Sequence, residues 1–357
     1  MYDFPYIAGK FYPEGKFYSC EPYGSGHIHE TFLLIKSSGD SIKKFILQRF
    51  NNFVFKEPEK VLNNIRKITS HLKQSSGLQD SLYLSMLPTF DNKYWYRDEL
   101  NNYWRCFNFI EDSYTINRVE ENSQAYEAAR LFGTFISALS NFKPENLEIT
   151  IPDFHNIKKR LDYLDQAFLS GTVKRKLAAG DEVRRTFQYY RMVANYLCIL
   201  PDIPVRVTHN DTKINNVLFS TSTGKGLCVI DLDTVMPGTV LSDFGDMVRT
   251  FANSADEDEK DLSKVFFNPG IFKEMTAGFL EGTGTILEPV EKNNLLLGGK
   301  IIIYMQAIRF LTDYLSGDPY YKTDYPDHNL VRARNQLKLL DSFLEHESEA
   351  ASVIRSL

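Results

Sequence analysis

The sequence predicts an α+β protein of two lobes, a small strand-rich N-terminal lobe and a larger helical C-terminal one. Three observations carry the prediction. Short β-branched and aromatic runs separated by turn residues fill the N-terminal part. Beyond Gln124 the apolar residues recur at every third or fourth position. A single strand-like island, Asn216 to Asp231, interrupts that helical pattern. The expected division is 1–112 and 113–357, joined near Ile110 to Ile116, with a cleft between the lobes.

Thr31 to Ile35 and Lys44 to Phe50 are apolar runs on either side of Ser-Ser-Gly-Asp, which reads as a β-hairpin. Glu57 to Leu72 places Val61, Leu62, Ile65, Ile68 and Leu72 at helical spacing, with Pro58 suited to a first turn. Strands are expected at Ser81 to Leu87 and Tyr103 to Phe109, separated by the polar turn Thr89 to Asn102. Helical spacing then covers Gln124 to Leu139, Ile157 to Leu169, Val183 to Leu200, Leu295 to Tyr314 and Asn329 to Phe343. The island is two apolar runs around Ser-Thr-Ser-Thr-Gly-Lys-Gly.

With 357 residues, 43% hydrophobic and 24% charged, the chain is long enough for two modest cores and is neither disordered nor fibrous. A formal net charge of −5 provides no broad positive field for nucleic acid. The four cysteines stand far apart, without a CxxC pair, so reduced, mostly buried thiols are expected rather than a zinc site or a disulfide scaffold. MYDFPYIAGKFYPEGK lacks a basic segment followed by an apolar stretch, so no secretory signal is expected. LLLGGKIIIYM is short and broken by Lys300, which argues against a membrane span. A cytoplasmic protein follows, with no membrane partner; a monomer is favoured.

The chemistry concentrates in VTHNDTKINNVLF and LCVIDLDTVMPG. His209-x-Asp211-x(4)-Asn216 puts a carboxylate and an amide at the two ends of one short loop, and Asp231 follows an apolar run. Phosphoryl transfer from ATP needs such parts: a carboxylate to orient and accept the hydroxyl proton, and oxygen ligands for Mg2+. Singly, Asp and Asn are ordinary loop residues and His209 can be a hydrogen-bonded core histidine. Their combined order is far more specific.

This stretch resembles the catalytic loop of the aminoglycoside phosphotransferase and choline kinase superfamily, relatives of protein kinases. More closely, HNDTKINN, VIDLDTVMPG, SDFGDMVR and QAIRFLTDYLSGD are similar to N-acetylhexosamine 1-kinases. The likeness runs from Gly24 to the C-terminal helix. It implies a two-lobed protein-kinase-like fold with the nucleotide-binding lobe first. It further implies ATP and Mg2+ as cofactors, Asp211 as catalytic base, and Asn216 and Asp231 as metal ligands. His209 would hold the loop from behind and Asp243 would brace it, although Asp243-Phe-Gly carries letters that protein kinases use for metal. Asp233 is a second metal candidate, or else a solvated or capping carboxylate.

Gly24, Ser25 and Gly26 can cover the ATP phosphates, because glycine lets the backbone come close, though they also suit an ordinary turn. Where kinases carry a third-strand Lys, this chain has Gln48 followed by Arg49, and only one of two successive strand residues can face the nucleotide. Glu57 and Glu59 are the candidate acidic partners on the next helix. Ile110 and Glu111 fall at the expected adenine-binding hinge.

For the acceptor, Arg309 lies on a largely apolar helix and either snorkels outward or enters a cleft. The resemblance favours the cleft and adds Tyr320, and Lys213 can steady the transferring phosphoryl group. The acidic run Asp256 to Asp261 reads as a solvated loop. The implied activity is phosphorylation of the anomeric hydroxyl of N-acetylglucosamine or N-acetylgalactosamine, a small-molecule sugar substrate. A kinase of another small alcohol (choline, homoserine, an aminoglycoside) and a nucleotide-binding pseudokinase are the alternatives.

Overall fold

The computed structural model describes residues 2–13, 15–24, 28–39, 41–75 and 84–357. Ser25 and Gly26, and the start of the strand expected at Ser81, lie outside them. The chain forms two compact units. The first comprises Met1–Tyr114, Asn141–Ile151 and Leu218–Pro237; the second comprises Thr115–Ser140, Pro152–Val217 and Gly238–Leu357.

In the first unit, α1 (Phe4–Ala8) precedes β1 (Lys16–Pro22), β2 (Glu30–Ser38) and β3 (Ser41–Phe50). The helix α2 (Pro58–Ser75), β4 (Tyr96–Arg97), β5 (Tyr103–Asn108) and β6 (Ser113–Tyr114) follow. The expected hairpin forms, with β2 and β3 antiparallel from Glu30↔Arg49 to Ser38↔Ser41 and Gly39 at φ 60° in the turn. The five-stranded sheet runs β1-β2-β3-β5-β4. Strand alternation decides its faces. Phe32, Leu34, Phe45, Leu47, Trp104 and Cys106 pack on one side with Ile7, Ala8 and Phe11. Each such large side chain contributes about 1.5–3 kcal/mol by leaving water. The remaining positions bring Thr31, Gln48 and Arg105 into direct cross-strand register.

Two expectations for this unit are corrected. Thr89 to Asn102 is more than a turn, because β4 lies within it and pairs with Tyr103 and Trp104. Asp98 makes that possible: its carboxylate accepts from the Leu100 and Asn102 amides and from Trp104 Nε1, which closes a tight hairpin. Of the strand expected at Ser81 to Leu87, the described part forms a single bridge, Met86 to Phe107.

After β7 (Arg206–Thr208), the strands β8 (Val217–Ser220) and β9 (Gly226–Val229) make the expected island, and β10 (Met236–Gly238) follows. β8 and β9 form a small sheet with β6.

The second unit is helical: α3 (Asn122–Ala138), α4 (Ile157–Ser170), α5 (Val173–Thr186), α6 (Tyr190–Ile199), α7 (Val240–Phe251), α8 (Pro269–Thr283), α9 (Pro289–Ser316), α10 (His328–Glu345) and α11 (Glu347–Ser356). Its core is α9, 28 residues long, against which α7, α4 and α10 pack. The run around Lys300 is therefore part of one long apolar helix, and it is mostly buried inside the protein. Lys300 reaches Glu347 at 2.6 Å. Gly245 and Gly298 allow the closest α7–α9 approach, since a Cβ on either would lie 2.6–2.7 Å from a backbone oxygen across the contact.

The helix expected over Val183 to Leu200 is corrected to two helices. The Tyr304 hydroxyl donates to the Thr186 carbonyl at 2.9 Å, and a 3-10 turn at Phe187–Tyr189 separates α5 from α6. α5 itself, capped by Thr172, was not legible because KRKLAAGDEVRRT carries almost no apolar stripe.

Candidate active site

The loop after β7 is built around Asp243, a fully buried carboxylate in the first turn of α7. Its Oδ2 accepts from the His209 amide at 2.8 Å and its Oδ1 from the Asn210 amide at 2.7 Å. The Thr212 hydroxyl donates to its carbonyl at 2.6 Å. Burial pushes the Asp243 carboxyl up to about 7, against the two amides that favour its charged form. Asn210 is left-handed at φ 65°, and Gly238 leaves room beside it, since a Cβ there would meet Thr208 Oγ1 at 2.3 Å. His209 is buried, edge-on to Phe132 and Phe135.

Replacing Asp243 by asparagine leaves one of the two buried amides without its acceptor. A stability loss of about 1–3 kcal/mol is expected, together with slower turnover. An unfolding midpoint and rate equal to wild type would refute this bracing role.

In the loop so held, Asp211 is half-buried. Lys213 Nζ lies 3.2 Å from its Oδ1, and Asn216 Nδ2 donates to its Oδ2 at 3.1 Å and to its carbonyl at 2.8 Å. Burial pushes the Asp211 carboxyl up, but Lys213 and then His209 outweigh it, so the net shift is downward. Lys213 is raised in return by Asp211. Because Asn216 commits its nitrogen to Asp211, Oδ1 is the atom through which it could hold a cation. That orientation suits an oxygen-seeking metal.

Within the second unit, buried Arg249 pairs with Asp246 at 2.8 Å and with Glu257. The acidic run, read as a solvated loop, is therefore not wholly solvated, and the pairing was not legible because it forms only once α7 and the run are folded together.

In the first unit, Asp231 is exposed and left-handed at φ 59°, ψ 62°. Asp233, two residues on, is neither solvated nor capping. It is 2% exposed, its Oδ2 accepting from Arg105 Nη2 at 2.8 Å while Nη1 binds Oδ1. His29 Nε2 lies 2.7 Å from the same Oδ2. The Asn51 amide donates to His29 Nδ1 at 2.9 Å, which makes Nε2 the protonated nitrogen of a neutral ring. Burial pushes the Asp233 carboxyl up, yet Arg105 and His29 hold it far below the ordinary carboxylate range.

Gln48 lies between Thr31 Oγ1, to which it donates at 3.0 Å, and Arg105 Nε, from which it accepts at 2.9 Å. Arg49 pairs instead with Glu30 at 2.7 Å and with Asn102. Glu57 pairs with Lys60, and Glu59 accepts from the Tyr103 hydroxyl. Ile110 is buried, with its carbonyl taken by Ser113, while Glu111 pairs with Lys44 at 2.9 Å. Gly24 is left-handed at φ 77°, open around its Cα.

Around Arg309, in the second unit, the guanidinium lies 5.1 Å from the Phe154 ring and 5.6 Å from Tyr321, and Nη1 donates to Gln306 Oε1 at 3.1 Å. Arg160, which the sequence reading missed, donates from Nη2 to the Phe154 carbonyl at 3.0 Å, while its buried Nε has no hydrogen-bond partner among the described residues. Neither arginine forms an ion pair among the described residues. Burial and then the Arg309 charge push His155 down to about 4. His155 Nε2 lies 3.3 Å from the Asn210 carbonyl, which ties this cluster to the Asp211 loop. Asp313 accepts from the Tyr320 and Tyr321 amides, so the Tyr320 backbone is anchored while its side chain stays exposed.

Comparison with solved structures places the fold among kinase-like phosphotransferases. An aminoglycoside phosphotransferase from Alicyclobacillus acidocaldarius superposes with a TM-score of 0.59 at 10% identity, covering 99% of this chain and 96% of that one. A choline/ethanolamine kinase family protein from Mesorhizobium loti gives 0.56 at 14% identity, covering 95% and 93%. A spectinomycin phosphotransferase, solved with ADP and spectinomycin, gives 0.53 at 14%, covering 96% and 94%. The model of the phosphotransferase enzyme family matches residues 19–263. With that match spanning well over half its length, this chain belongs to the phosphotransferase enzyme family.

Proposed function

We propose that the protein is an ATP-dependent kinase that phosphorylates the anomeric hydroxyl of an N-acetylhexosamine. Asp211 orients the acceptor hydroxyl and takes its proton, and Lys213 faces the phosphoryl group in transfer. Asn216 and Asp231 are assigned as oxygen donors to magnesium by motif order and, for Asn216, because its amide nitrogen is given to Asp211. When bound, magnesium supplies charge neutralisation of the phosphates. ADP in the spectinomycin phosphotransferase supports the choice of an adenine nucleotide.

The observation that carries the acceptor assignment is the pair of guanidinium groups at Phe154 that have no carboxylate partner among the described residues. Donors of this kind, beside aromatic rings, fit ring hydroxyls and an acetamido oxygen. They repel choline or a polyamine antibiotic. A coupled ADP-release assay over amino sugars, choline and homoserine tests the class, and phosphorus and proton NMR of the product locates the phosphate. Turnover with choline and with neither amino sugar would remove the sugar assignment, as would phosphate on the 6-hydroxyl.

Arg309→Ala removes one of the two donors. Losing a buried hydrogen-bonding group costs about 1–3 kcal/mol, so kcat/KM for the sugar is expected to fall roughly tenfold or more. Nucleotide affinity is expected to stay near wild type. An equal loss for nucleotide and sugar would contradict the assignment.

A further inference from the structure

Kinases hold the nucleotide phosphates with a lysine on the third strand, itself paired to a helix carboxylate. Here the third strand offers Gln48 on one face and Arg49 on the other. Arg49 is spent on Glu30 and Asn102. Glu57, just before α2, pairs with Lys60, and Glu59 accepts from the Tyr103 hydroxyl. The buried guanidinium on the Gln48 face comes from β5: Arg105, 2% exposed, directly opposite Gln48 in register.

We propose that Arg105, whose terminal nitrogens are given to Asp233 rather than to phosphate, acts as a positioning residue for Asp231; the assignment rests on the kinase reading above. Arg105 Nε is oriented by Gln48 Oε1, and the guanidinium lies 5.1 Å from both the Phe50 and Phe107 rings. So placed, its two terminal nitrogens grip both oxygens of Asp233. His29, stacked on Phe50 and Phe55, closes the other side of that carboxylate. The turn is also caught at its far end, where Asn64 of α2 donates to the Val235 carbonyl at 3.2 Å.

The segment Asp231–Val235 is thus pinned at Asp233 and at Val235. Asp231 is left in the left-handed region, which Asp tolerates better than most residues but which is less favourable than ordinary backbone angles. Releasing Asp233 lets Asp231 relax toward ordinary backbone angles and swings its carboxylate away. Groups that orient a metal ligand in this way typically change metal affinity by about 10–100-fold when removed.

The test titrates magnesium against the ADP affinity of the full chain, in wild type, Arg105→Lys, Arg105→Gln and Asp233→Asn, with thermal unfolding alongside. Arg105→Lys keeps the charge and loses the two-pronged grip, so it reads the geometry even where Arg105→Gln fails to fold. The magnesium concentration that half-saturates the gain in ADP affinity is expected to rise about 10–100-fold in the folded variants, with metal-free ADP affinity changed less than about threefold. A wild-type magnesium response in folded Arg105→Lys and Asp233→Asn overturns the proposal, even where their unfolding midpoints fall, because the pair is then structural only. A wild-type chain with no magnesium response overturns the kinase reading as well.

Discussion

Replacing Asp211 by asparagine is expected to lower turnover by about 10²–10⁴, the range over which a positioned general base acts. The substitution preserves shape and removes the basic oxygen. Both carboxylate oxygens of Asp211 accept from cationic or amide donors, at 3.2 Å from Lys213 and 3.1 Å from Asn216. An amide can satisfy only one of them, so a modest stability loss, about 1–3 kcal/mol, accompanies the loss of rate. The backbone bonds to Asp243 do not involve this side chain, so the loop is expected to stay in place. Nucleotide affinity is expected to survive. The checks are steady-state turnover, an ADP titration and an unfolding curve on the same preparation. Turnover within a few-fold of wild type would remove Asp211 from the chemistry.

Asp231→Ala and Asn216→Ala are each expected to weaken magnesium-dependent nucleotide binding by about 100-fold or more. Removing a ligand itself should cost at least as much as removing the groups that orient it. The two variants should differ in stability. Asp231 is exposed but left-handed, where Ala keeps the Cβ and is tolerated less well than Asp, so a small backbone cost accompanies its loss. Asn216 is buried and bridges two oxygens of Asp211, so its loss also loosens the catalytic loop. Isothermal titration of Mg-ADP and of metal-free ADP separates the two effects. Equal Mg-ADP affinities in wild type and both variants would dismantle the metal assignment.

That Asp211, Lys213 and Asn216 come together was legible in the sequence because six consecutive positions contain them, and a chain that short can bring them together in only a few ways. The β2–β3 hairpin was legible for the same reason, its turn residues separating two apolar runs. Arg105 was not. It lies 57 positions from Gln48, and a one-residue change in β3–β5 register would send it to the other face of the sheet. Arg160 was hidden on an amphipathic helix, where an arginine ordinarily belongs to the solvated side.

By itself the sequence determined the two kinds of secondary structure, the order of the catalytic motif and the phosphotransferase chemistry that order suits, all of which depend on local spacing. The tertiary structure decided which charges are spent and which are offered. Arg49 is occupied by Glu30, Asp233 by Arg105 and His29, and Arg249 by Asp246 and Glu257. Among the described residues, Arg160 and Arg309 are left without carboxylates. A charge's partner is set by strand register and helix packing between distant segments, and burial makes that choice costly to reverse.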